Sequence, residues 1–301
     1  MVERKALVQV VLATALWGAV FSVGKLLSAE LPPMAVTFLR YGIAALIVLP
    51  LAAPELRRLS REDLPALAAA GAMSSVIFNG FVFSGLRLAP AGDAALAPAV
   101  SPILVTVAGV VLFGQRPSPQ RILCLAVATT GIALVFSANL AGGSGDTRIF
   151  GDLLHLGGAV AWASYLVLAG RLGKRHSAKV LTSATVVVGA GGALPLAILE
   201  GGLPDVLVLS TAGWFQVLYI ALLGSVAAFL LWSRGVASLG PERASLFMNL
   251  VPLFGLAGSV LVLRESLGLL QIAGTALVIG GVAAATLVDR RRSRMELAAA
   301  R

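Results

Sequence analysis

The sequence predicts an all-α integral membrane protein: ten transmembrane helices arranged as two inverted five-helix repeats, with both termini cytoplasmic. Composition, the placement of the basic residues and a faint internal repeat carry that prediction. Of the 301 residues, 58% are hydrophobic and 12% charged, against roughly 25% charged in an ordinary globular domain. Crossing a hydrocarbon core about 30 Å thick takes a helix of roughly 20 mostly apolar residues. Ten stretches meet that requirement: 6–24, 34–53, 64–86, 94–113, 122–139, 153–170, 180–199, 211–233, 244–263 and 266–288. Among all of them only Arg40 is formally charged.

The first stretch follows a basic "MVERK", as a signal peptide would, but its counterpart later in the chain marks it as a retained helix. The longest connection, "LAGGSGDTRIFGD" at 140–152, is a Gly-rich linker without a fold of its own. It separates a first unit, 1–139, from a second, 153–288, and a basic tail, 289–301, ends the chain. Cys124 is the only cysteine and reads as a small hydrophobe.

Orientation follows from the bases. With the N-terminus inside, only Lys25, Arg87, Arg148 and Arg264 fall outside and Arg40 lies within a span; the rest of the 23 Lys and Arg lie on the inner side. The positive-inside rule therefore puts both ends in the cytoplasm. The tail "DRRRSR" reads as an anchor near anionic lipid rather than a nucleic-acid site.

The halves share a weak, ordered similarity. Trp17 and Pro50 match Trp162 and Pro195 at an offset of 145, and Ser75, Gly85, Pro102 and Gly131 match Ser225, Gly235, Pro252 and Gly281 at 150. A unit with an odd number of spans begins its second copy on the opposite side of the membrane, so the halves are inverted. Inverted repeats are a hallmark of secondary transporters, with the substrate held near the midplane between them.

The early Trp of each half resembles EamA-type units of the drug/metabolite transporter superfamily. So do the run "LAPAVSPILVTVAGVVLFGQRPSPQRILCLAVATTGIALV" and its partner "LFMNLVPLFGLAGSVLVLRESLGLLQIAGTALVIGGVAAA". The likeness covers about 6–138 and 150–289, and in overall character the chain looks most like the branch exporting aromatic and neutral amino acids. The family's acid after the mid-helix proline is kept as Glu265 but replaced by Gln115 in the first half. The resemblance implies ten spans, cytoplasmic termini and export of small metabolites.

Candidate residues follow from depth and chemistry. Pro98, Pro102 and Pro252 each lack an N–H and can bend a helix, as hinges or gates beside a cavity or as static kinks. Arg40 is a costly charge inside a span, fit either to bind a substrate carboxylate or to snorkel or pair with Asp93 or another group. Ser75 with Asn79, and Ser245 with Asn249, form polar stripes that glue helices or bind a ligand. Trp17 with Phe21, and Trp162 with Tyr165, each share a helix face, and the two tryptophans lie too deep for an interfacial belt, so these aromatics line an apolar substrate site or pack between helices, whereas Trp214 and Trp232 fit a belt. Asp93 and Asp152 read as helix caps, or with His155 as a proton site.

No metal-ligand set, cofactor motif or catalytic constellation stands out, and filter-like loops are missing, which argues against a metal transporter, a membrane enzyme and a channel. The reading is a monomeric secondary transporter of the bacterial inner membrane, exporting small organic solutes such as amino acids, with lipid as its other partner and no nucleic acid. The alternative is a proton-coupled exporter of drugs, sugars or nucleosides.

Overall fold

The computed structural model describes residues 2–114, 116–141, 146–239 and 244–299, and these are helical with no strand among them. Helix α1 (Val2–Leu27) and helix α2 (Pro33–Leu56) open the first half; α2 begins on a proline, whose fixed φ suits a first turn. Helix α3 (Arg61–Leu88) starts after Ser60, whose hydroxyl accepts from the Glu62 N–H, and carries a π segment at Met73–Ile77. A short α4 (Ala91–Ala94), α5 (Ala97–Phe113) and α6 (Pro119–Ala141) complete the half. The second half holds α7 (Asp146–Leu172), α8 (Ala178–Leu199) and a short α9 (Gly202–Leu207). There α10 runs through Thr211–Leu218, a π segment Tyr219–Ala227 and Ala228–Leu239. A 3-10 turn Ser245–Asn249 leads into α11 (Leu250–Leu261), and α12 (Leu269–Ala299) ends the fold. Eight of the helical rods are long and apolar enough to cross a membrane, and two shorter apolar helices, Pro119–Val135 and Phe247–Leu261, accompany them.

Several elements depart from the sequence expectation. The stretch 94–113 is not one helix, because α4 stops at Ala94 and α5 starts at Ala97. In a continuous helix the Pro98 ring would collide with the Ala94 carbonyl, so the chain breaks and Pro98 falls in the first turn of α5, where a missing N–H costs nothing. Pro252 would clash in the same way with Met248, and there the backbone tightens into the 3-10 turn instead. The Gly-rich linker is also shorter than expected: α6 reaches Ala141 and α7 begins at Asp146, which puts Asp152 in the second turn of α7 instead of at a helix start.

The halves interleave. Helix α1 of the first half packs on α10 and α11 of the second, α7 of the second packs on α3 and α5 of the first, and α2–α8 and α6–α12 pair across the pseudo-two-fold. Close glycine contacts obey the sequence offsets. A Cβ on Gly131 would lie 2.7 Å from the Val278 nitrogen, and one on Gly281 would lie 2.7 Å from the Ala128 nitrogen, its repeat mate. Likewise Gly235 abuts Val10 and Ala6, while Gly85 abuts His155 and Gly151, positions 145 residues on. In lipid, where no hydrophobic force draws helices together, such close backbone approach supplies the dispersion contacts that hold them.

The core is drawn from both halves, with Phe83, Leu86 and Ile220 fully buried together. Leucines instead dominate the outside: Leu46 is 77% and Leu199 82% exposed, a surface suited to acyl chains and costly in water.

Candidate functional site

One group of interior polar residues converges on Arg40. Seven residues past Pro33, it lies about 10 Å into α2 at 1.5 Å rise per residue. Its Nε donates to Ser225 Oγ at 2.9 Å and its Nη1 to Asn79 Oδ1 at 2.9 Å. Its guanidinium also lies 5.2 Å from the Tyr41 ring centroid. Three helices thus meet on one cation: α2, α3 and α10 of the opposite half. Among the described residues no carboxylate pairs with it, and Asp93 is engaged with Arg148 instead.

Both π segments take part. Ser225 sits in the one in α10, where its hydroxyl reaches the Ile220 carbonyl five residues back at 3.0 Å. Its repeat mate Ser75 sits in the one in α3 and donates to the Gly71 carbonyl at 2.6 Å. π segments are rare and gather at functional sites, because the extra residue swings side chains out of helical register. Asn79, 1% exposed, donates to Tyr41 Oη at 3.0 Å and to the Ser75 carbonyl at 2.7 Å. Tyr41 donates to the Ser74 carbonyl at 3.4 Å, and Ser74 Oγ lies 2.9 Å from Thr185 Oγ1 on α8.

The aromatic residues form two clusters. Trp17 packs on Trp232 at 5.5 Å between centroids, and Trp162 lies between Phe78 at 5.2 Å and Tyr165 at 5.0 Å. Trp232 also packs against Ala6, Val10 and Leu239, where the start of α1 meets the end of α10. Trp214, 39% exposed, sits in the first turn of α10. Phe21 is buried in the main core beside Trp17.

A separate ionic group lies around α4. Asp93 pairs with Arg148 at 3.2 Å. The acid that serves this helix start is Glu265, whose oxygens accept from the N–H groups of Ala91 at 2.9 Å and Gly92 at 3.2 Å. Lys25 donates to the Ala89 carbonyl at 2.8 Å. Asp152 and His155 are buried one turn apart on α7, 5% and 3% exposed, and the imidazole holds the place that Val10 holds in the first half.

Pro102 lies inside α5, with the Thr106 hydroxyl on its carbonyl at 2.7 Å, and Pro252 is buried in the first turn of α11. Asn249 ends the 3-10 turn just before α11, whereas the side chain of Ser245 and all of Gln115 lie outside the described residues. Among the described residues no group of three or more His, Cys, Asp or Glu gathers to hold a metal. Sequence reasoning passed over Tyr41, Ser225, Ser74 and Thr185. Ser225 could have been found as the mate of Ser75, and Thr185 stands 145 residues from Arg40.

The profile of the EamA-like transporter family matches residues 4–137 and 149–287. The chain is 28% identical over 291 residues to a probable terminal-alkyne amino-acid exporter of Streptantibioticus cattleyicolor, covering 93% of this chain and 95% of that one. It is 24% identical over 284 residues to a probable amino-acid metabolite efflux pump of Salmonella typhimurium, covering 90% and 91%. An uncharacterized transporter of Bacillus subtilis is 26% identical over 277 residues, covering 91% and 90%. A solved crystal structure has the same fold, with a TM-score of 0.61 at 22% identity over 94% of this chain and 96% of that one. With both repeats matched and the helices interleaved as two related halves, this multi-pass membrane protein belongs to the EamA-like transporter family.

Proposed function

We propose that the protein exports small carboxylate-bearing metabolites, amino acids foremost, across the bacterial inner membrane by alternating access between its two halves. In this reading it works as a monomer with ten spans and cytoplasmic termini. The observation that carries it is Arg40, a cation in the interior held by neutral groups from both halves. Arginine has five N–H donors, and the two bonds to Ser225 and Asn79 use two of them. The rest suit the two oxygens of a carboxylate. The clustered Trp162, Tyr165 and Phe78 offer an apolar wall for the remainder of the solute. The amino-acid exporter among the relatives supports the substrate class.

Transport runs down the solute gradient as uniport or exchange. Counterflow into liposomes loaded with single amino acids tests this, with sugars and nucleosides as controls; flux of the controls alone would end the carboxylate reading. Proton coupling is the second reading, favoured by the buried Asp152 and His155 on α7. Accumulation driven by a pH gradient alone would decide for it and against uniport.

A further inference from the structure

The polar chain through the interior has a direction. Arg40 donates to Asn79, Asn79 donates to Tyr41, and Tyr41 donates to the Ser74 carbonyl, beside which Ser74 Oγ meets Thr185 Oγ1. The two ends of this chain, Arg40 and Thr185, occupy the same position in the two repeats, 145 residues apart. Each touches the π segment of the other half, Arg40 at Ser225 and Thr185 at Ser74. Their chemistry differs. At the Arg40 end everything offered is an N–H donor. At the other end the two hydroxyl hydrogens of Ser74 and Thr185 are shared between their mutual contact, in which either can donate, and the helix carbonyls of Ala70 at 2.9 Å and Leu181 at 3.2 Å. A hydroxyl has one donor and two acceptor sites. With the donors committed, Ser74 and Thr185 present acceptors.

Resting on the carboxylate reading of Arg40, we infer that Ser74 and Thr185 form a second subsite, which accepts a hydrogen from an uncharged N–H or O–H group at the far end of the solute. The site is then polarised: an anion at the first half's pole, a neutral donor at the second's. A second carboxylate could take a hydrogen there only by drawing it away from the Ser74–Thr185 pair or a helix carbonyl, and is disfavoured, since the group left unmatched is costly.

The experiment compares solutes that differ by one distal hydroxyl, tyrosine against phenylalanine, in counterflow with purified protein in liposomes. Wild type prefers the hydroxylated member, and Thr185→Val cuts that preference about tenfold, the worth of one net hydrogen bond of 1.4 kcal/mol. Thr185→Ser keeps it. Phenylalanine flux in Thr185→Val reports that the variant is folded and active. An unchanged preference in Thr185→Val, or none in wild type while phenylalanine is carried, overturns the subsite and leaves the transport reading standing. If wild type carries no carboxylate solute, both fall.

Discussion

Replacing Asn79 by Ala tests whether the interior network orients Arg40 or merely fills space. The side chain is 1% exposed and makes three bonds, one from Arg40, one to Tyr41 and one to the Ser75 carbonyl. Interhelical bonds between neutral side chains in membranes average about 0.6 kcal/mol, and a bond to a charged group is worth about 1.5–3 kcal/mol. The Ser75 bond lies within one helix and adds little. The expected loss is therefore about 2–4 kcal/mol, dominated by the Arg40 contact. Equilibrium unfolding of the purified protein in mixed detergent measures it. A double-mutant cycle with Arg40→Gln isolates the pair, for which a coupling of about 1.5–3 kcal/mol is expected. Counterflow should show KM rising more than maximal flux falls, because Arg40 is left in place but no longer aimed. A coupling near zero, or Asn79→Ala protein with unaltered KM, would refute the argument that this network sets the anion site.

Three further outcomes are expected. Trp17→Ala or Trp162→Ala should lower flux more than folded yield, since each packs on an aromatic partner in the interior; equal flux per folded molecule would remove that residue from the site. Pro102→Ala restores an N–H facing the Pro98 carbonyl and should straighten α5, slowing exchange between open faces as read by counterflow rate at saturating solute. Gly131→Val places a side chain where even a Cβ lies 2.7 Å from the Val278 nitrogen, so α6 and α12 must part; a loss of about 1–3 kcal/mol in detergent unfolding is expected.

The membrane class and the repeat were legible because a lipid solvent writes long apolar runs and two-fold relatedness leaves paired Trp and Pro, while the interleaving of the halves was not. Breaks were harder to place. Pro98 announced a distortion, but whether a helix bends or stops depends on the neighbours that take up the freed carbonyl, and a proline alone does not say. The π segments left no trace, since neither "MSSVI" nor "YIALLGSVA" holds a helix breaker such as proline to mark an extra residue in the turn. Asn79 and Arg40 stood out as polar groups in apolar surroundings. Tyr41 and Thr185 did not, because nothing local distinguishes a hydroxyl that faces the interior from one that returns to its own helix.

The α6–α12 crossing has a consequence for how such a chain could arise. Gly131 meets Gly274 and Val278, while Gly281 meets Cys124 and Ala128, so the same patch faces itself, as in an isologous dimer. A single half inserted in both orientations would make this contact with its own copy, and its two poles would have to be alike. Joining the copies in one chain removes that constraint. Each half can then keep an arginine or a threonine at the shared position, and a binding site that symmetry would have forced to be two identical ends gains a head and a tail.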